Sequence, residues 1–579
     1  MPARLSLTMI VKNEAATLPT CLASVRDLAD EIVVVDTGSL DATPDIARQH
    51  GARVFDFAWT DSFADARNQS LRHATGQWLL WLDADEYFDQ ANRDKLRALL
   101  DQLPDGNAAF VMNQRSPAPH GSATLVSQVR LFRNHPELHW DYRVHEQILP
   151  SLRKARFAIH HTDLALEHTG YLDPALRQRK LERNLRLLHR DHADRPNDPF
   201  TLFNLGWAFA DLGRYDDALP LLQRSLQHSH PADSITPKLY VLLTQCLRRL
   251  GQHEQAWAAC RAGVIRCPDD AELLFLRGQL CHQRGDRAAA RACWMQLLAM
   301  EDHSRTVAAP TADGVFTSAD AGLRGPLVRH HLAALAREEG RLDEAEHHWQ
   351  AALAESPSCP PARIGLAELY LHQARWPELE PLLAELERQP HTALQAAVLR
   401  ARVYLARRDF AAARRLLEDV IRQTPQALTA QIVLSHVLLQ SGDEAAAEPL
   451  LRHIVGRDQG QAESWRNLAV LFHRRGRLRE AIAAAQSGRL HCPRDGELML
   501  LHAVLLRESG DGINAEACLL ELLEMDGGDA AARPRCATAR HNLALVYRDM
   551  GRVREAAAHW RALFWTSERN PFALPHAPT

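Results

Sequence analysis

From Phe200 onward the chain repeats itself, and no other feature of the sequence limits the fold as strongly. A turn recurs at Gly213, Gly251, Gly285, Gly340, Gly442, Gly476, Gly510 and Gly551. From Gly340 the period is 34 residues, running through Ala374, Arg408 and Gly442 to Gly510. Five residues after each turn stands a small residue, as at Ala218, Ala256, Ala413 and Ala556, with Leu379 the exception. Seven residues before each turn the position is again small, as at Gly206, Gly278, Ala333 and Ala401, with Thr244 the outlier. Small side chains in two columns let the axes of paired antiparallel helices approach. The turn glycine supplies a left-handed residue at the first helix's end. Pro268, Pro357, Pro425 and Pro493 each fall 17 residues after a turn, where the second helix should stop.

This pattern resembles the tetratricopeptide repeat family. About ten units fit between Thr201 and Trp565, with insertions around Ala308–Arg324 and Gly527–Arg535. The reading divides the chain into an α/β domain over 1–172, a linking helix over 173–199, an all-α repeat solenoid over 200–567 and a tail over 568–579. Such an array presents an extended surface suited to a protein partner.

Before Phe200 the grammar changes. Leu5–Val11, Glu31–Asp36, Arg53–Phe57 and Trp78–Leu82 read as short buried strands. The helix-length stretches Leu18–Leu28, Pro44–His50 and Phe63–His73 alternate with them, with Thr43-Pro44 as a helix start. That alternation implies a parallel sheet with right-handed crossovers. Ala109–Gln114, Val126–Arg133 and Phe157–His168 suggest a mixed extension, and Pro174–Asp191 a helix joining the two parts.

The charge balance, 68 Lys+Arg against 72 Asp+Glu, argues against a global grip on nucleic acid or an anionic membrane. No run approaches the ~20 apolar residues of a membrane span. Met1–Val11 lacks the basic stretch and apolar core of a signal peptide, and the ten cysteines contain no CxxC pair. The expectation is a cytoplasmic chain with reduced thiols and no integral membrane segment.

In an open parallel sheet, ligands bind beyond the carboxyl ends of the strands. Those ends read Lys12-Asn13-Glu14, Asp36-Thr37-Gly38-Ser39 and Asp83-Ala84-Asp85-Glu86, and the loop after the third strand leads to Asp65-Ala66-Arg67-Asn68. Two carboxylates one residue apart, after a buried strand, can offer oxygen to a hard divalent cation, which in turn can bridge a diphosphate. Alone, such a pair is more often an acidic turn.

Together, Met9–Glu14, Ile32–Ser39, Phe63–Asn68 and Trp81–Glu86 resemble the family-2 glycosyltransferases, whose catalytic domain has the GT-A fold, with coverage over roughly Leu5–Tyr171. The nearest likeness is to bacterial members grouped with lipopolysaccharide-core glucosyltransferases and peptide S-glycosyltransferases. The resemblance implies a nucleotide-sugar donor, a UDP-sugar by preference, transfer with inversion, and Mg²⁺ or Mn²⁺. It puts Ile10 and Val11 along the base, with Glu14 holding the loop. Asp36, followed by Gly38 in the donor loop, would accept from the base imide; otherwise it is a turn aspartate. Arg67 would lie near the diphosphate or tether Asp83, Asp83 would face the ribose, and Asp85 would ligate the metal. Val144-His145-Glu146 makes Glu146 the first candidate base and Asp141 the second, against ordinary surface carboxylates. His168 would be a third metal ligand or a structural histidine. The acceptor, a protein, peptide or surface glycan, would be recruited by the repeats.

Other chemistries lack their signatures. No glycine fingerprint follows the first strand, and P-loop, HExxH and GxSxG motifs are missing. A binding scaffold with an idle N-terminal domain is the alternative, opposed by the intact set Asp36, Arg67, Asp83 and Asp85. The adjacent pairs His160-His161, His330-His331 and His347-His348 read as surface, and the tryptophans of the repeats as packing.

Overall fold

The computed structural model describes residues 4–117, 123–168, 174–230, 233–300, 318–526 and 533–566. The expected boundary at 172/173, most of both insertions and the tail lie outside them. Four apolar runs build the parallel half of the sheet: β1 (Leu5–Val11), β2 (Glu31–Asp36), β3 (Arg53–Asp56) and β4 (Trp78–Trp81), in the order β3-β2-β1-β4. Their carboxyl ends share one edge, with Val11 opposite Asp36 and Asp36 opposite Asp56. The crossovers are α1 (Leu18–Val25), α2 (Thr43–Gln49) and α3 (Phe63–His73). Thr43 is the first helical residue rather than the cap; its hydroxyl bonds to Asp41 and accepts from the Glu14 N–H.

Beyond β4 come β5 (Glu86–Tyr87), α4 (Gln90–Asp101), β6 (Ala108–Pro117), β7 (Ala123–Arg133), α5 (Leu149–Lys154) and β8 (Ala158–His168). The sheet continues β4-β7-β6-β8-β5, antiparallel except for the β6–β8 pair. A ninth strand, β9 (Ser318–Asp320), leaves the repeat region to pair with β7. Period-two alternation sends Leu5, Leu7 and Met9 to one face, against α1 and α4. Leu79, Trp81 and Phe132 go to the other, against Ala64 of α3.

The chain packs as two units, 1–369 and 370–579. In the first, α6 (Pro174–Asp194), α7 (Pro199–Asp211) and α8 (Tyr215–His228) follow the sheet directly, and Val144 is buried in one cluster with Leu187, Leu188 and Phe203. Gly206 in α7 explains the small-residue column, for a Cβ there would stand 2.7 Å from Leu222 of α8. Trp294 is fully buried against Gly278, a packing role as expected. His331 is a correction: it sits 5.0 Å from the Phe275 ring and 5.1 Å from Trp294, and burial pushes its pKa down to about 4.

The second unit is built of helix pairs of the same kind. Where the 34-residue period lands on Ala374 and Arg408 instead of glycine, the backbone keeps the left-handed turn, at φ 55° and 60°. An L side chain there costs roughly 1–2 kcal/mol, part of which glycine returns as unfolded-state entropy. Arg408→Gly is therefore expected to stabilise this unit by about 0.5–1 kcal/mol, read from the midpoint of chemical denaturation.

Candidate active site

The first two strand-end loops are zipped together. Asn13, left-handed at φ 57°, accepts from the Leu40 N–H through Oδ1 at 2.7 Å, while its own N–H donates to Ser39 Oγ at 2.9 Å. Asp36 is buried, and its Oδ2 accepts from the Gly38 and Ser39 amides at 3.1 and 2.9 Å. The turn role is thus built, and Gly38, at φ +97°, makes it possible. The Val11 carbonyl is taken by Thr37, and Ile10 beside it is half-buried. Glu14 accepts from the Thr17 hydroxyl at 2.8 Å. Burial and the nearby charges of Asp85 and Asp83 raise its pKa despite that bond.

Arg67 is the centre. Ser62 caps α3 by accepting from the Asp65 N–H, and the helix carries Arg67 inward until it is 3% exposed. Its Nε donates to Glu146 Oε1 at 2.6 Å and a terminal nitrogen donates to Asp83 Oδ1 at 2.8 Å. Two carboxylates 63 positions apart in sequence are thereby bridged by one guanidinium. The group lies 4.1 Å from the Trp81 ring centroid and 5.1 Å from that of Trp140. Asn68, next in the chain, exchanges two hydrogen bonds with the Trp140 main chain and so fastens the Glu146 segment to α3.

The Asp83–Asp85 turn is locked from beneath. Glu86, fully buried, accepts both terminal nitrogens of Arg130, at 2.6 and 2.7 Å, and also the Asp83 N–H at 2.9 Å. The Arg130 guanidinium lies 3.8 Å from the Trp81 centroid. The sequence reading quoted Glu86 and Asn68 within motifs without giving them roles, and it had no signal for Arg130.

On the other flank, pairing of β5 with β8 sets Glu86 opposite His168 and brings His168 Nε2 to 3.1 Å from Asp85 Oδ2. Ser116 Oγ holds Nδ1 at 3.1 Å. The bond to Asp85 raises the His168 pKa; on Asp85, burial opposes the charge but His168 holds the carboxyl below its usual range. Among the described residues no group of three or more His, Cys, Asp or Glu side chains is placed to hold a metal alone. Asp85, braced by His168, can still offer an oxygen to Mg²⁺ or Mn²⁺, which take few protein ligands and complete their shells with water and substrate phosphate. Asp141 is not drawn into this group. Its main chain pairs with Gln147, and its carboxylate faces His139 at 3.5 Å and Arg195 at 3.7 Å.

Residues 6–150 match Glycosyl transferase family 2. A TPR repeat-containing protein of Synechococcus elongatus is 35% identical over 293 residues, 49% of this chain and 72% of that protein. The chain belongs with that TPR repeat-containing protein and carries a glycosyl transferase family 2 domain ahead of its repeats. Repeat families match this glycosyltransferase at 181–234, 203–271, 271–294, 336–403, 404–471 and 536–563. The SPbeta prophage-derived glycosyltransferase SunS of Bacillus subtilis is 27% identical over 225 residues, 38% of this chain and 52% of SunS. An uncharacterized glycosyltransferase of Rickettsia bellii is 33% identical over 135 residues, 22% and 46% of the two chains. The chain therefore spans about half the length of these last two relatives. No helix among the described residues is long and apolar enough to cross a membrane.

Proposed function

We propose that this family 2 glycosyltransferase transfers a sugar with inversion from a UDP-sugar to a protein, peptide or surface-glycan acceptor brought to it by the repeats, with Mg²⁺ or Mn²⁺ bound. The observation that carries the reading is Arg67, which joins Asp83 of the donor side to Glu146 of the acceptor side through a single buried guanidinium.

Asp36, Gly38, Ile10 and Val11 would line the base, Asp83 the ribose, and Glu14 would brace the loop. Asp36 keeps acceptor capacity at Oδ1, which takes one bond from the Ser39 hydroxyl and has a second lone pair, while Oδ2 is filled by the two amides. Asp85 and His168 would hold the cation, which when bound offsets the diphosphate's negative charge. Glu146 takes the proton from the acceptor nucleophile as that atom bonds to the sugar's anomeric carbon. The bond from that carbon to the diphosphate breaks with its electron pair leaving on the nucleoside diphosphate. Asp141, committed to its own partners, is the weaker candidate for the base.

The test is nucleoside diphosphate release. Incubated with UDP-, GDP- and dTDP-sugars and Mn²⁺, the full chain should release UDP from at least one UDP-sugar. EDTA should slow that release at least about a hundredfold, and added Mn²⁺ should restore it. Release from no donor, with Mn²⁺ or with Mg²⁺ in its place, would sink the reading.

A further inference from the structure

The helix between the sheet and the repeats, α6, is fastened to the α/β domain through its second half. Arg186 and Arg190 both reach Asp61, at 3.2 and 2.7 Å. Buried Asp191 accepts from the Arg143 N–H at 3.0 Å and from its guanidinium at 2.9 Å. Leu187 and Leu188 are buried with Val144. With that half fixed, the preceding turns can lie in only one place. Arg183, one turn before Leu187, holds its guanidinium 4.8 Å from the Phe63 ring centroid, and Phe63 opens α3 one turn before Arg67. Glu146 follows Val144 by two residues, so the same packing draws Arg183 toward it. Lys180 lies a further turn back, three residues before Arg183 and on the same face of α6.

The charge count makes this face informative. Before any donor enters, Asp83 and Glu146 already share the buried Arg67, Asp85 stands two residues on, and the other buried arginine beneath the turn, Arg130, is committed to Glu86. A nucleoside diphosphate adds further negative charge to the same cleft. Arg183 is half-buried, yet, unlike Arg186 and Arg190, it meets no carboxylate at salt-bridge distance among the described residues. Its hydrogen bonds go to the amide oxygen of Asn184, its neighbour in sequence. A half-buried guanidinium held only by a neutral amide, beside an acidic cleft, is poised for an anionic ligand.

We propose that Lys180 and Arg183 form a binding site for the diphosphate of the nucleotide-sugar donor, so that the helix joining sheet to repeats completes the donor site. This rests on the donor reading above.

The test compares UDP and uridine binding to the full chain in Mg²⁺ by calorimetry, for the wild type, Lys180→Ala, Arg183→Gln and the double variant. Each single change should weaken UDP about tenfold, the scale of one charge-assisted hydrogen bond, and leave uridine unchanged. UDP affinity equal to wild type in the double variant overturns the site. So does an equal loss for UDP and uridine, which would mean a distorted pocket. A wild type that binds neither ligand instead brings down the donor reading itself.

Discussion

Arg67→Met is expected to cost the α/β domain about 3 kcal/mol and to abolish transfer. The thioether refills much of the volume between the tryptophan rings, so packing loss is a small part of the effect. The charge is the larger part. Glu146, only 15% exposed at its side chain, would lose its buried partner, whereas Asp83, at 43%, can turn to water. An uncompensated carboxylate in a largely buried position is driven to protonate or to swing outward. Either outcome removes the base from the position that Arg67 sets. Hydrogen exchange over residues 63–73 and 139–148 would register the loosening, and UDP release the loss of activity. Arg67→Lys tests the geometry: it keeps the charge but has no fork to reach two carboxylates at once, so activity should remain low while stability partly recovers. Full activity in either variant would show that the Asp83–Arg67–Glu146 bridge is incidental.

What the sequence disclosed and what it withheld follow from the range of the interactions. The repeat turns were legible because close helix packing forces small residues at fixed offsets. The period alone located Ala374 and Arg408, whose left-handed backbones no residue preference would suggest. The strand ends were legible because a parallel sheet buries both faces and leaves short unbroken apolar runs. Arg130 was not, since its partner Glu86 lies 44 residues away and meets it only when β7 aligns beside β4. His331 looked like one member of a surface pair because its burial is supplied by Phe275 and Trp294 on other helices. The sequence offered both Glu146 and Asp141 from one short segment. The choice between them depends on two left-handed residues, Tyr142 and His145, which turn successive side chains in different directions. α6 read only as a linker because its partners in the α/β domain, Asp61 and Arg143, are distant in sequence.

Asp191→Ala should lower transfer about a hundredfold while weakening UDP by only a few-fold, because Arg186 and Arg190 still tie α6 to Asp61. The segment 139–148 has no regular structure of its own beyond the Asp141–Gln147 pair, and it carries non-glycine residues at φ 70° and 56°. Such backbone costs of order 1–3 kcal/mol per residue and persists only where its surroundings over-determine it. Here part of that constraint comes from α6 and the cap of α7: Asp191 takes the Arg143 N–H, Tyr142 reaches Asp198 at 3.2 Å, and Val144 is buried against Leu187. Removing the Asp191 carboxylate leaves the Arg143 N–H unpaired and the arch free to relax, and a shift of about 1 Å at Glu146 is enough for the loss expected. The carboxylates proposed for the donor stand on the ends of β1, β2 and β4, outside this arch. The Arg186 and Arg190 bonds to Asp61 still hold the Lys180–Arg183 turns of α6, so kcat should fall far more than donor KM rises. Asp191→Asn, which keeps an acceptor oxygen, should recover most of the rate. Equal loss in kcat and donor affinity would mean that Asp191 merely supports the fold, and an unchanged rate would mean that the arch holds without this bond to α6. With the expected split, α6 is part of the catalytic apparatus, and a partner bound along the repeats that follow it has a physical route to the proposed base.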